Sequence, residues 1–372
     1  MLKIGITGQS GFIGSYLYNT IRLSPEKYKL IEFEKYFFEE ASLLDSFVNE
    51  CDIIVHLAAM NRHSDATVIY ETNLRLVELL VQSLSRTDSS AHVLMSSSTQ
   101  EEQDNLYGQS KKEGRKLFED WSHNSDGSFT GLIIPNVFGP FGKPDYNSVV
   151  ATFCHKLTHD EDPQIHQDGQ LKLIYVGELV EEIIDLIKSP VKNNITRINP
   201  TSKVKVSEML AMLNRYKSDY YQKGIIPPLD GTFELNLFNT FRSYIDPITH
   251  FPVKFNQHRD ARGAFVEIIR LNVGGQVSFS TTVPGITRGN HFHTRKIERF
   301  SVIKGKARIQ LRKVGTSEVL DFELAGSEAA YVDMPIWFTH NITNMGNEDL
   351  YTIFWINEFY NPEDADTYFE EV

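Results

Sequence analysis

Cysteine is scarce in this 372-residue chain: only Cys51 and Cys154 occur, far apart and in unlike surroundings. That excludes a disulfide framework. Positive charge is also short. Lys and Arg number 37 against 49 Asp and Glu, a net charge of -12, so the basic face that nucleic acid needs is not expected. No stretch approaches the ~20 consecutive apolar residues of a membrane span. The opening MLKIGITGQSGFIG lacks the long apolar run of a signal peptide. We therefore expect a cytoplasmic protein with no nucleic-acid and no membrane partner. At 41% hydrophobic and 23% charged residues the chain is otherwise ordinary for a globular protein, and its length favours two domains.

The first 190 or so residues alternate short apolar runs with helical periodicity. Strands are predicted at Leu2 to Thr7, Leu30 to Glu34, Asp52 to Ala59, His92 to Ser96 and Thr130 to Pro135. Helices are predicted at Gly11 to Arg22, Val68 to Leu84 and Tyr107 to Trp121. Such alternation signals crossover units and a doubly wound parallel sheet of Rossmann type. The breaker cluster GIIPPLDG follows at Gly224 to Gly231. From Phe265 on, short strands with period-two alternation, such as Arg308 to Arg312 and Asp321 to Leu324, predict an all-β jelly-roll barrel. The expected domains are 1–243 and 244–372.

In the first domain, Thr7-Gly8-Gln9-Ser10-Gly11-Phe12-Ile13-Gly14 ends a strand and opens a helix. Gly8 permits the turn, Gly11 lets a pyrophosphate approach the backbone, and Gly14 lets the helix pack on the strand. The helix N-terminus offers free N–H groups to phosphate. In Tyr107-Gly108-Gln109-Ser110-Lys111 the tyrosine and lysine share a helix face. An ammonium beside a phenol is expected to lower the tyrosine pKa toward that of a working acid–base group. A hydroxyl of the run Ser96-Ser97-Ser98-Thr99, at a strand end, is suited to a carbonyl oxygen of the substrate.

These residues resemble the extended short-chain dehydrogenase/reductase family over residues 1 to 240 or so. The further pieces are Asp52-Ile53-Ile54-Val55-His56-Leu57-Ala58-Ala59, Asn73, Asn136 in PNVFGP, and LIYVGELV from Leu173 to Val180. The resemblance implies a bound NAD(P) held by Gly8, Gly11, Phe12, Ile13, Gly14, Leu57, Ala58, Ala59, Asn73, Tyr107 and Lys111. It also implies Tyr107 as proton donor, steadied by Lys111, with a Ser/Thr partner. Counting along the strand favours Ser98, with Ser97 and Thr99 as rivals. Asn136 is expected at the substrate. Only eight residues separate Ser98 from Tyr107, where relatives carry a longer loop that often touches substrate. Cofactor choice is open on the residues. Glu34 suits the ribose 2′-hydroxyl of NAD, and Lys35 beside it suits a 2′-phosphate.

In the second domain, Arg288-Gly289-Asn290-His291-Phe292-His293 is followed by Glu298, and Pro335-Ile336-Trp337-Phe338-Thr339-His340 supplies a third histidine. Histidines two apart on a strand face the same way, and three imidazoles with one carboxylate form a first-row metal site with an open position. The spacing resembles both boxes of the cupin family, with Trp337 in place of the usual second-box glycine. Cupins take Fe, Mn, Ni or Zn, and we expect one divalent metal, Zn, on His291, His293, Glu298 and His340. Asp260-Ala261-Arg262-Gly263-Ala264-Phe265-Val266-Glu267 and Arg288-Gly289-Asn290-His291 resemble dTDP-sugar 3,5-epimerases, which abstract a proton beside a 4-keto group. That makes Arg262 and Arg288 expected substrate contacts. The histidine those enzymes use as base falls here on the metal ligand His291, which cannot do both. The base is then a metal-bound hydroxide or a nearby side chain such as Lys296.

As a whole the chain resembles bifunctional enzymes of capsular-polysaccharide and O-antigen synthesis in which such a reductase precedes a metal cupin. The resemblance implies a UDP-linked 4-keto amino sugar as substrate, epimerisation at carbon 3 by the cupin, reduction at carbon 4 with NADP(H), and a homodimer. Two alternatives stand beside it: a single-activity reductase whose cupin is a structural or dimerising metal module, and a cupin with binding or oxygenase chemistry.

Overall fold

The computed structural model describes residues 1–190, 194–261 and 263–372. Its contacts divide the chain into two units, 1–152 with 167–206, and 153–166 with 207–372.

The first unit is the parallel sheet expected. Its elements run β1 (Leu2–Thr7), α1 (Phe12–Arg22), β2 (Tyr28–Ile31), α2 (Ala41–Glu50), β3 (Ile53–His56), α3 (Ala66–Arg86), β4 (His92–Ser98), α4 (Leu106–His123) and β5 (Ser128–Ile134). Next come β6 (Asn136–Phe138), α5 (Val149–Thr158), whose last turns belong to the second unit, β7 (Gln170–Tyr175), α6 (Val176–Lys188), β8 (Asn194–Arg197) and β9 (Ser202–Lys205). The six-stranded order β2-β1-β3-β4-β5-β8 is parallel throughout. Its central strand β3, IIVH, is buried at every position, as a sheet covered on both faces requires. Val77, Leu80 and Leu84 of α3 and Phe118 and Trp121 of α4 bury one face together with Val93 and Phe129. The carboxyl ends of β1, β3 and β4 face one rim, where ligands of such sheets bind.

The second unit begins with α7 (Val206–Arg215, its first residue in the first unit) and α8 (Gly231–Arg242) and continues as β10 to β21. Those strands are β10 (Val253–Lys254), β11 (Gln257–Asp260), β12 (Gly263–Val266), β13 (Gln276–Thr282), β14 (Thr287–Phe292), β15 (Glu298–Lys304), β16 (Lys306–Lys313), β17 (Val319–Ala325), β18 (Ala330–Met334), β19 (Phe338–Asn344), β20 (Leu350–Ile356) and β21 (Tyr368–Phe369). Two antiparallel five-stranded sheets, β10-β18-β15-β20-β13 and β17-β16-β19-β14-β21, form the cupin-like β domain. Val302, Ile309, Leu311, Phe322, Val332 and Ile342 are among the side chains that fill it. Residues 207–243 lie on the amino side of the boundary read from sequence, yet they share this second unit. Polar bonds tie them to the barrel: Tyr220 to Asp333, Asn239 to the Arg295 carbonyl, and Arg242 to the Met334 carbonyl.

Candidate functional site

At the first rim the glycine turn is dictated by crowding. Gly8 has φ +79°, and a Cβ there would lie 2.7 Å from the Ala58 backbone nitrogen. A Cβ on Gly14 would lie 2.1 Å from the Gly8 carbonyl oxygen. Only glycine lets the turn, the end of β3 and the first turn of α1 approach this closely. No side chain caps α1 at Gly11, which leaves its first N–H groups facing outward for an anion.

A cavity of about 560 Å³ opens there. Gly8, Gly11, Phe12, Ile13, Gly14, Leu57 and Ala59 line it together with Ser96, Ser97, Ser98, Tyr107, Lys111 and Asn136. These expected residues are brought together. Three others are not at the cavity wall. Ala58 supports Gly8 from behind. Asn73 is buried, accepts from the Met60 N–H at 2.7 Å and donates to the Met60 carbonyl at 3.1 Å. It pins the segment after β3. Lys35 is exposed with Glu34 beyond the end of β2, so the two competing cofactor readings stay side by side.

Lys111 Nζ donates to the Ser96 carbonyl at 2.9 Å and lies 6.0 Å from the Tyr107 ring centroid. Burial pushes the Tyr107 pKa up to about 12, with the neighbouring Tyr146 adding to it. Burial also lowers Lys111 to about 8, against the pull of Glu101. The expectation that the ammonium lowers the phenol is therefore reversed: desolvation dominates both groups. The phenol stays protonated at neutral pH, the state a proton donor needs. Among the serines, Ser97 Oγ donates to Glu101, whereas Ser98 Oγ accepts from the Gln100 N–H at 3.2 Å, which leaves the Ser98 hydroxyl proton for another acceptor. Thr99 starts the next turn and does not line the cavity.

The short link from β4 to α4 opens with a single turn, Thr99–Glu102. Glu101, its side chain 6% exposed, clamps it by an ion pair to Arg115 at 2.9 Å. A segment that sequence reasoning missed also lines the cavity: Phe141, Gly142, Lys143, Tyr146, Asn147 and Ser148. Tyr146 Oη accepts from the Asn61 N–H at 3.4 Å, and Asn147 donates to the Asn61 carbonyl at 2.6 Å. No periodicity marks such a loop, though Phe141, Asp145 and Asn147 all hold positive φ (66°, 54° and 61°), a backbone strain often kept at binding sites.

In the second unit, β14 and β19 pair so that His291 stands opposite His340, with a bulge between Gly289 and His291. Gly289 is at φ +106°, and a Cβ there would lie 2.7 Å from the His340 carbonyl. The bulge turns His291 inward beside His293, and β15 delivers Glu298 from the other sheet. The four ligand atoms of His291, His293, Glu298 and His340 all lie within 4.8 Å of one another. Glu298 Oε2 is 3.1 Å from His293 Nε2 and 3.3 Å from His340 Nε2. Yet these three buried atoms have no partner of hydrogen-bond geometry. Buried polar atoms that converge on a point without bonding one another fit a metal cation. Burial, then the two other imidazoles, lower His291 to about 4, so it is neutral and ready to ligate. Burial disfavours the Glu298 carboxylate, but His293 and His340 outweigh it and hold its pKa below the usual range.

A cavity of about 220 Å³ reaches this cluster, lined also by Arg288, Phe300, Met334, Asn341 and Phe354. Arg288 is exposed at its wall. Arg262 lies outside the described residues. Lys296 does not line this cavity. It is buried, with Nζ donating to the Ala365 carbonyl at 2.6 Å, which removes it as a proton acceptor for this cavity.

Residues 4–199 match the NAD dependent epimerase/dehydratase family, and residues 258–368 match the polysaccharide biosynthesis C-terminal domain. The chain is 30% identical to a UDP-2-acetamido-2,6-beta-L-arabino-hexul-4-ose reductase of Pseudomonas aeruginosa, over 99% of this chain and 98% of that one. It is 35% identical to the crystal structure of the capsular polysaccharide assembling protein CapF from Staphylococcus aureus, covering 100% of both chains with a TM-score of 0.63. The structure of RMD from Pseudomonas aeruginosa complexed with NADPH shares the fold of the first unit at 17% identity, with 66% of this chain and 99% of that one covered and a TM-score of 0.57. Matched over more than half its length and by a full-length relative, the chain belongs to the NAD dependent epimerase/dehydratase family.

Proposed function

We propose that the chain is a bifunctional nucleotide-sugar enzyme of capsular or O-antigen polysaccharide synthesis. The barrel inverts carbon 3 of a UDP-2-acetamido-2,6-dideoxy-4-hexulose. The Rossmann-type unit reduces its 4-keto group with NADPH to a UDP-2-acetamido-2,6-dideoxy-L-talose, on the route to UDP-N-acetyl-L-fucosamine. One observation carries this reading: two separate constellations each meet at a cavity, Ser98–Tyr107–Lys111 at one, and at the other His291, Glu298 and His340, with His293 clustered beside them.

In the reductase cavity the glycine turn and the first turn of α1 hold the dinucleotide, with Lys35 for a 2′-phosphate. When bound there, NADPH supplies the hydride. Ser98 donates to the ketone oxygen, Tyr107 gives that oxygen its proton, and Lys111 holds the end of β4 beside α4 while Asn136 meets the substrate. In the barrel the three imidazoles and Glu298 would hold a divalent metal, zinc by our reading. When bound, the metal supplies a Lewis acid beside the ketone oxygen. Arg288 at the cavity wall suits the anionic part of the nucleotide, and Arg262 is assigned to the same substrate. The order follows from carbon acidity: the C–H at carbon 3 is acidic only while the neighbouring ketone exists, so inversion precedes reduction.

The test is a product assay with the 4-keto sugar in D₂O. Deuterium entering carbon 3 without NADPH, and the 4-hydroxy sugar forming with it, are the expected results. Reduction without exchange would leave only the single-activity reductase. That second reading draws on the exposed Val277 and Phe279 of the sheet-edge strand β13, which suit a dimerising barrel. A homodimer is proposed in either case.

A further inference from the structure

Two of the three imidazoles at the metal cluster are steadied from within their own strands. His340 Nδ1 faces the Phe338 carbonyl at 3.2 Å, and His291 bonds to the Gly289 backbone. His293 differs. Its Nδ1 meets the carbonyl of Asp366 at 2.5 Å, 73 residues further along. A carbonyl only accepts, so Nδ1 carries the proton and the Nε2 lone pair points inward, the orientation a ligand needs.

The Asp366 side chain takes up the turn that follows His293. One carboxylate oxygen accepts from the Thr294 N–H at 3.0 Å and the Thr294 hydroxyl at 2.6 Å. The other accepts from the Arg295 N–H at 3.1 Å and the Lys296 N–H at 3.0 Å. Three consecutive backbone donors between β14 and β15 thus end on one carboxylate. Asp366 is buried and sits at φ +41°, a conformation that aspartate and asparagine tolerate better than most residues. Around it, Lys296 Nζ bonds the Ala365 carbonyl, Arg295 pairs with Asp364 at 2.8 Å, and Tyr368 stacks on Phe292.

We propose that segment 362–370 is a strap that sets His293 for the metal, with Asp366 as its positioning residue. The proposal rests on the metal reading above. The strap fixes both neighbours of the ligand: the Phe292 side through β21, and the Thr294 side through the carboxylate. A metal site whose outer contact is lost typically binds 10–100-fold more weakly.

The experiment compares wild type with Asp366→Asn in the full chain. Asparagine keeps the backbone conformation, but whichever way its amide turns, its N–H groups face at least one backbone donor, the Thr294 N–H or those of Arg295 and Lys296, which then loses its acceptor. Zinc affinity is read by competition with a fluorescent chelator, thermal unfolding is read on the metal-free proteins, and the His293 tautomer is read by ¹⁵N NMR of selectively labelled histidine. The expected result is a 10–100-fold weaker zinc affinity and loss of the single Nδ1–H tautomer. A lowered metal-free unfolding temperature with unchanged zinc affinity would overturn the strap and leave Asp366 a stability residue. If Asp366→Asn does not fold, Lys296→Met, which frees the Ala365 carbonyl, carries the test: weaker zinc binding supports the strap and equal binding overturns it. Wild type that takes up no zinc would instead sink the metal reading beneath the proposal.

Discussion

The ammonium of Lys111 and the carbonyl oxygen of Ser96 stand 2.9 Å apart, and this bond joins α4 to the end of β4. Desolvation at the cavity wall raises the Tyr107 pKa, so the phenol stays protonated at neutral pH. Tyr107→Phe removes only the hydroxyl. NADPH oxidation with the 4-keto sugar is expected to fall by about 10²- to 10⁴-fold, the usual share of a general acid. Deuterium exchange at carbon 3 should persist. Undiminished reduction would remove Tyr107 from the mechanism.

His56 ends β3 and lies wholly buried, its Nδ1 2.8 Å from the Thr7 hydroxyl. Burial, aided by the Lys111 charge, lowers its pKa to about 3. A base whose pKa falls on folding binds more protons unfolded, so its share of stability is present above the unfolded value near 6.5 and is lost as pH drops from there toward 3. Between pH 7.5 and 5.5 that loss is about 1.4 kcal/mol for one such group. His56→Asn should flatten this acid limb for the unfolding of the first unit. Histidine NMR should show the native ring neutral at pH 5. A ring that titrates near 6.5 would contradict the assignment.

What could be read in the sequence follows contact range. The glycine turn lies in one turn and the His291–His293–Glu298 run across one short connection, so their spacing marked them, whereas the Tyr107–Lys111 pair was marked by the family resemblance around it. Spacing did not show the tertiary contacts of two of the named residues: Asn73 bonds Met60, and Lys296 bonds Ala365. It was silent where a partner lies far along the chain. Glu101 and Arg115 are 14 residues apart, and His293 and Asp366 are 73 apart. The helices of 207–243 carried no barrel signature because polar side chains, Tyr220 and Arg242, make their bonds to it.

Arg299 follows the ligand Glu298 and points to the opposite face of β15, where Nε and Nη2 meet the Asp333 carboxylate at 2.7 and 2.8 Å. Tyr220 donates to the same carboxylate at 2.7 Å, and all three residues are buried. Asp333→Asn leaves the guanidinium without its counter-charge, a loss of about 3–5 kcal/mol. Denaturant unfolding of the second unit measures it. The double variant Arg299→Met with Asp333→Leu should recover part of the loss, since the Arg299 guanidinium is then gone, while the buried Arg242 still loses the charge of Asp333. A single variant within 1 kcal/mol or so of wild type would mean the pair is solvated.

Metal removal tests both role and stability of the His291–His293–Glu298–His340 cluster. Without a cation, three buried atoms converge unsatisfied, a cost that binding relieves. Zinc at a thousandfold excess over its Kd adds about 4 kcal/mol to the stability of the folded barrel. Dialysis against a chelator should therefore lower the unfolding temperature of the second unit, and returning zinc should restore it. The same treatment should abolish exchange at carbon 3. Reduction of substrate already inverted at carbon 3 should continue, because the cavity at Tyr107 is lined wholly by residues of the first unit. Exchange that survives chelation would move the epimerase chemistry away from these four ligands. Loss of stability with exchange intact would favour a structural metal.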